Sequence, residues 1–95
     1  MNMINYKKIA EHGALIDNAD FIMLKCDFCG KLALYDEERS LLYLNPQNLS
    51  AVVMYGVSNC SPVYCPCCKH ENSFEEIDDN DKDKILNSEW AFIFQ

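Results

Sequence analysis

Two Cys-x2-Cys pairs constrain this chain more than any other feature. The first reads Cys26-Asp27-Phe28-Cys29-Gly30-Lys31 and the second Cys65-Pro66-Cys67-Cys68-Lys69-His70, with 35 residues between the pairs. Each pair places two thiols on one tight turn, and two such turns supply the four ligands of a tetrahedral metal site. Such a site is also a fold nucleus, because it ties together segments far apart in sequence. The chain has 95 residues, the size of one domain. At that size a single apolar core gives only a modest stability margin, so a metal staple is physically apt.

In a turn of this kind, backbone N–H groups point at the sulfurs and stabilise their charge. The residue after the second cysteine tends to need a left-handed conformation, which glycine adopts without steric cost. Gly30 meets that need in the first turn, whereas Lys69 occupies the matching place in the second.

The pattern Cys26-x-x-Cys29-Gly30-Lys31 … Cys65-Pro66-x-Cys68 resembles the zinc-ribbon family, with its two rubredoxin-like knuckles, over roughly residues 21–77. The resemblance implies that Cys26, Cys29, Cys65 and Cys68 bind one Zn2+ and that each knuckle closes a β-hairpin. It does not imply one activity, since zinc ribbons serve transcription, translation, RNA processing and plain protein contact. The long insert between the knuckles is expected to add strands.

Several ligand alternatives remain open at this level. Cys67 forms a shorter pair with Cys65, and His70 stands two residues after Cys68. The spacing, and the match to the first pair, favour Cys68 as the ligand, with Cys67 at the turn tip and His70 an exposed turn residue. Cys60 reads as a loop or buried thiol. Four thiolates also suit a single iron or an Fe–S cluster, but structural zinc is the commoner outcome. A disulfide within either pair is the reading for an oxidised protein. A thioredoxin-type role fits poorly, because that chemistry wants one Cys-x-x-Cys at a helix N-terminus.

Charge narrows the partners. The chain carries 15 acids against 8 Lys and Arg, a formal net charge of −7. The imbalance grows toward the C-terminus: residues 1–34 are neutral overall, and residues 65–95 carry eight acids and three lysines. Such a chain is poorly suited to bind nucleic acid through phosphates, which requires Lys and Arg. Residues 1–25 hold no continuous apolar h-region and no stretch has the length of a membrane span. The expected setting is the cytoplasm, with reduced thiols and no membrane association.

Patterning along the chain predicts a mostly β (α+β) fold, a small zinc-ribbon-like antiparallel sheet with a short N-terminal helix. Residues 3–12 carry apolar positions at helical spacing and stop at Gly13. Strands are expected at Phe21–Lys25, Lys31–Tyr35, Ser40–Leu44, Ser50–Tyr55 and Ser73–Ile77, with a turn at Asp36–Arg39. Glu89–Phe94 alternates Trp90, Phe92 and Phe94 with Ala91 and Ile93, which predicts a final strand buried on both faces or meeting a second copy. The acidic run from Glu75 to Asp83 reads as a solvated loop; it fails as an EF-hand, because Asp83 or Lys84 falls where glycine is required.

No catalytic constellation emerges. His12 and His70 are the only histidines, and neither has an evident thiol partner and orienting third residue. The three glycines are scattered, so there is no phosphate-cradling loop. A metal held by four protein thiolates has no open position for substrate. The expectation is therefore a non-enzymatic protein-interaction module or regulator, offering an acidic face to a basic partner. One alternative is a nucleic-acid-associated ribbon, which needs Lys7, Lys8, Lys25, Lys31 and Lys69 on one face. Another is a thiol-redox or metal-responsive protein that uses Cys60 or Cys67.

Overall fold

A computed structural model describes residues 4–54, 65, 67–71, 74–77 and 81–95. The expectations placed on Met3, Tyr55, Cys60, Pro66, Ser73 and residues 78–80 lie outside those residues. The fold is α+β, built on an antiparallel sheet. In chain order it comprises α1 (Tyr6–Glu11), β1 (Phe21–Cys26), β2 (Leu32–Asp36), β3 (Leu41–Tyr43), β4 (Val52–Met54), β5 (Phe74–Glu76), α2 (Lys82–Leu86) and a C-terminal 3-10 helix (Ala91–Phe94).

The strands lie in the order β4-β3-β2-β1-β5, and every neighbouring pair is antiparallel. Four of them follow the chain as a meander, with short turns from β1 to β2 and from β2 to β3 and a longer connection over residues 44–51 from β3 to β4. The fifth returns after a long excursion and joins the far edge beside β1. The insert between the cysteine pairs supplies β3 and β4, as expected.

Register puts Met23 opposite Leu34, and Leu34 opposite Tyr43. Paired residues share a face of an antiparallel sheet, so these three form one apolar row across it. Phe21, on the same face, lies edge-on to Tyr43 with ring centroids 6.3 Å apart. Onto this face pack Ile9 of α1, Ile85 of α2, and Trp90, Phe92 and Ile93 around the 3-10 helix. The two ends of the chain are tied directly, for the Asn5 N–H donates to the Ile93 carbonyl at 2.6 Å. His12, the residue that closes α1, stacks on Phe92 at 3.7 Å between ring centroids, and its Nδ1 lies 2.8 Å from the Pro46 carbonyl oxygen.

The first helix starts and stops for local reasons. The Asn5 side chain accepts from the Lys8 N–H at 3.2 Å, capping the N-terminus. Gly13, with φ of +109°, ends it; a Cβ there would stand 3.3 Å from the Ser50 nitrogen. The closeness reflects the next bond along, in which the Leu49 N–H donates to the His12 carbonyl at 2.9 Å.

Asp36 is the one charged side chain buried among the described residues, fully enclosed at the end of β2. Its carboxylate accepts from the Asp20 and Glu38 N–H groups and from Arg39 Nη1, the last at 2.8 Å. Arg39 also donates to the Asp17 carbonyl. Buried carboxylates survive where such donors replace water, and here they join the β2–β3 turn to the segment before β1. Burial, reinforced by the Asp36 charge, pushes the Tyr43 phenol above its ordinary pKa and keeps it neutral.

Two expectations are corrected. Glu89–Phe94 is not a strand. From Ala91 onward it winds as a 3-10 helix, with Ala91, Ile93 and Gln95 N–H groups donating three residues back to Ser88, Trp90 and Phe92. Alternating aromatics mimic strand periodicity, but a three-residue turn buries Trp90 with Ile93 and places Phe92 beside them. Trp90, Phe92 and Ile93 of this turn belong to the core, and Phe94 packs against it. The acidic run is likewise not wholly a solvated loop: beyond the strand expected there, observed as Phe74–Glu76, Asp81 leads into the unexpected α2, where it bonds Lys25 and Lys84 at 3.1 Å each.

Candidate metal centre

The site stands where two turns meet at one end of the sheet. Cys26 is the last residue of β1, and the first turn carries the chain through Cys29 and Gly30 into β2. The second turn, Cys65–Cys68, precedes β5. Because β5 pairs with β1 in the register Cys26–Phe74, Lys25–Glu75 and Leu24–Glu76, the second turn is delivered beside the first.

The two turns are built alike. In the first, the Gly30 N–H donates to the Cys26 carbonyl at 2.9 Å, and the Cys26 N–H donates to the Lys31 carbonyl at 3.0 Å. In the second, the Lys69 N–H donates to the Cys65 carbonyl at 2.8 Å, and the Cys65 N–H donates to the His70 carbonyl at 3.0 Å. The residue after the second cysteine is left-handed in both, with φ of +76° at Gly30 and +68° at Lys69. The lysine thus adopts the glycine conformation although its Cβ makes that costly.

The sulfurs of Cys26, Cys29, Cys65 and Cys68 all lie within 4.8 Å of one another. The cross-turn distances are 3.5 Å from Cys26 Sγ to Cys68 Sγ and 3.6 Å from Cys29 Sγ to Cys65 Sγ. A tetrahedron of sulfurs about 2.3 Å from a central ion has edges of about 3.8 Å, so the spacing fits one ion at the centre. The same distances are far beyond a disulfide bond of about 2.05 Å, and no disulfide joins the described cysteines. Cys26 and Cys65, the first cysteine of each turn, are buried, whereas Cys29 is exposed and Cys68 half-buried. Four cysteines so placed can hold a metal ion.

Electrostatics favour a cation. The Lys31 backbone hydrogen bond lowers the Cys29 pKa, but desolvation and bonds with the thiols of Cys26, Cys65 and Cys68 outweigh it and push the thiol up to about 12. Cys68 follows the same logic: the His70 backbone hydrogen bond lowers its pKa, while desolvation and the Cys26 and Cys65 thiols raise it on balance. Four sulfurs this close cannot all ionise alone. A divalent cation at the centre inverts the balance, since a coordinated thiol is deprotonated outright.

Of the remaining candidates, Cys67 is exposed at the second turn, as expected. The sulfur that clusters with the other three from this turn is that of Cys68, and the His70 Nδ1 lies 3.3 Å from it. The His70 ring stacks on Phe28, with centroids 3.8 Å apart and planes 8° from parallel. Phe28 remains 63% exposed despite that contact. The contact of His70 with Phe28 is not visible in the spacing, since the two meet only when the turns are docked. Lys25, one of five lysines in the nucleic-acid alternative, is bonded to Asp81, and Lys8 lies 3.9 Å from Glu11.

No protein-family model, curated protein or solved structure matches this chain. Among the described residues no helix is long and apolar enough to cross a membrane.

Proposed function

We propose that this is a small acidic zinc protein whose Cys26, Cys29, Cys65 and Cys68 bind one structural Zn2+, and which acts as a non-enzymatic interaction module. The observation that carries the reading is the set of four thiols within 4.8 Å of one another on two matched turns. Thiolates are soft ligands with a strong preference for zinc among abundant divalent ions. With four protein ligands the coordination shell is closed, so the metal's contribution is to folding and not to turnover. The mixed resemblance to zinc ribbons agrees with this, as does the spacing that suits a mononuclear ion.

The partner in this reading is a protein with a basic surface. Support comes from the net charge of −7 and from Glu75 and Glu76 standing exposed on the edge strand β5. Native mass spectrometry of the purified protein tests the metal: one zinc per chain is expected, and its retention in both Cys26→Ser and Cys68→Ser would refute the site. Cross-linked pull-down from the source cell tests the partner, and recovery of chiefly acidic proteins would refute the charge argument. Binding of DNA or RNA at low salt would favour the nucleic-acid ribbon instead.

A further inference from the structure

The two matched turns are not matched at their outer ligands. Cys29 and Cys68 hold equivalent places, and each is approached by the backbone of the residue two positions on, Lys31 or His70. Cys68 has an additional neighbour, the His70 Nδ1 at 3.3 Å. A metal-bound thiolate has only lone pairs to offer, so that contact requires the proton on Nδ1, with the imidazole donating. Phe28, the tip residue of the opposite turn, lies flat against the ring at 3.8 Å and holds it in place. On the other side of the site, the groups that bear on Cys29 among the described residues are thiols and the Lys31 backbone, and it is the one member of the four that is exposed.

Resting on the metal reading above, we propose that Cys29 is the reactive thiolate of the centre, the ligand at which a soft electrophile enters and the ion is released, while His70 and Phe28 guard Cys68. The electrophile class is an α,β-unsaturated carbonyl. The Cys29 sulfur lone pair forms a C–S bond to one alkene carbon. The π pair moves to the neighbouring carbon as an enolate, which takes a proton from water and leaves hydroxide. The sulfur becomes a neutral thioether, a weaker ligand than the thiolate it replaces, which would leave Cys26, Cys65 and Cys68 as the thiolates able to hold an ion. A hydrogen bond to sulfur opposes this step, because it stabilises charge that the reaction consumes. A charge-assisted bond, weighted by the partial charge loss in the transition state, slows attack at Cys68 by about 3- to 10-fold. His70 is thus a positioning residue, acting through the sulfur it bonds.

The test is a time course of the zinc-loaded protein with N-ethylmaleimide, mapped by tandem mass spectrometry, with a chromophoric chelator reporting released zinc. Cys67 is exposed and outside the four, so the ranking concerns the ligands alone. Cys29 is expected to react about 3- to 10-fold faster than Cys68, with Cys26 and Cys65 last, and zinc release is expected to follow Cys29 modification. His70→Ala should raise the Cys68 rate to within about twofold of Cys29 and leave the Cys29 rate unchanged; Phe28→Ala should move it in the same direction. Equal or faster reaction at Cys68 in the unaltered protein overturns the proposal without need of any variant, as does an unchanged Cys68 rate in His70→Ala. A preparation that carries no ion in its native mass spectrum refutes the metal reading and this inference together; one that carries zinc but lacks the ranking refutes this inference alone.

Discussion

Lys69→Gly should stabilise the protein. Lys69 has φ of +68° in the place where the first turn has Gly30 at +76°. A left-handed conformation costs an L-residue roughly 1–2 kcal/mol. Glycine avoids that cost but loses more backbone freedom on folding, which takes back about 0.5–1 kcal/mol. The net gain is then about 0.5–1 kcal/mol, or roughly 2–8 °C in melting temperature for a domain of this length. The lysine side chain is exposed, so little packing is lost with it. The mirror experiment is Gly30→Ala. A Cβ at Gly30 would meet nothing within 4 Å, so its cost is conformational, about 0.5–1 kcal/mol by the same arithmetic. Urea denaturation at a fixed, saturating zinc concentration measures both, because an ion bound only by the folded chain shifts apparent stability with its concentration. Loss of stability in Lys69→Gly, or a neutral Gly30→Ala, would refute the equivalence of the two turns.

Other outcomes follow from the packing and the charges. Asp36→Ala should cost roughly 3 kcal/mol in urea unfolding, since it leaves buried N–H groups and the Arg39 guanidinium without their acceptor; Asp36→Asn should cost less. Ile93→Ala should cost about 2–5 kcal/mol by calorimetry, because Ile93 is fully enclosed among the elements that close the core. Zinc added to metal-free protein at pH 7 should release about four protons per ion into a weakly buffered indicator, and excess chelator should lower the melting temperature. The Lys25 and then the Lys84 hydrogen bond hold the Asp81 carboxyl below its ordinary pKa of 3.8. Its stabilising contribution is therefore present above that value and lost as pH falls through the depressed one. Asp81→Asn should flatten the acid limb of the stability profile, as an acid titration followed by circular dichroism would show.

Much of the sheet was legible because antiparallel meanders are local. Phe21–Lys25 and Lys31–Tyr35 flank a turn of known geometry, and each was found within a residue or two of its expected bounds. The insert strands were legible for the same reason, from short apolar runs between turn residues. The last segment was not, because Trp90, Phe92 and Phe94 alternate as a strand would. Only the surface they pack against, formed by α1 and α2, selects a 3-10 turn. The short α2 was hidden by acids that read as loop, since its order depends on Asp81 finding Lys25 on β1, 56 positions away.

For the site, the four cysteines and their two turns could be read from sequence alone, because a Cys-x2-Cys turn is a local structure whose spacing dictates where both sulfurs point. Even the strain at Lys69 was implied by comparison with Gly30. Tertiary structure decided what surrounds those sulfurs. Pairing of β5 with β1 sets the distance between the turns, and only that docking lays Phe28 of one turn over His70 of the other and turns Nδ1 toward Cys68. The candidate ligands are marked by their neighbours along the chain, whereas the different surroundings of their sulfurs arise from neighbours in space.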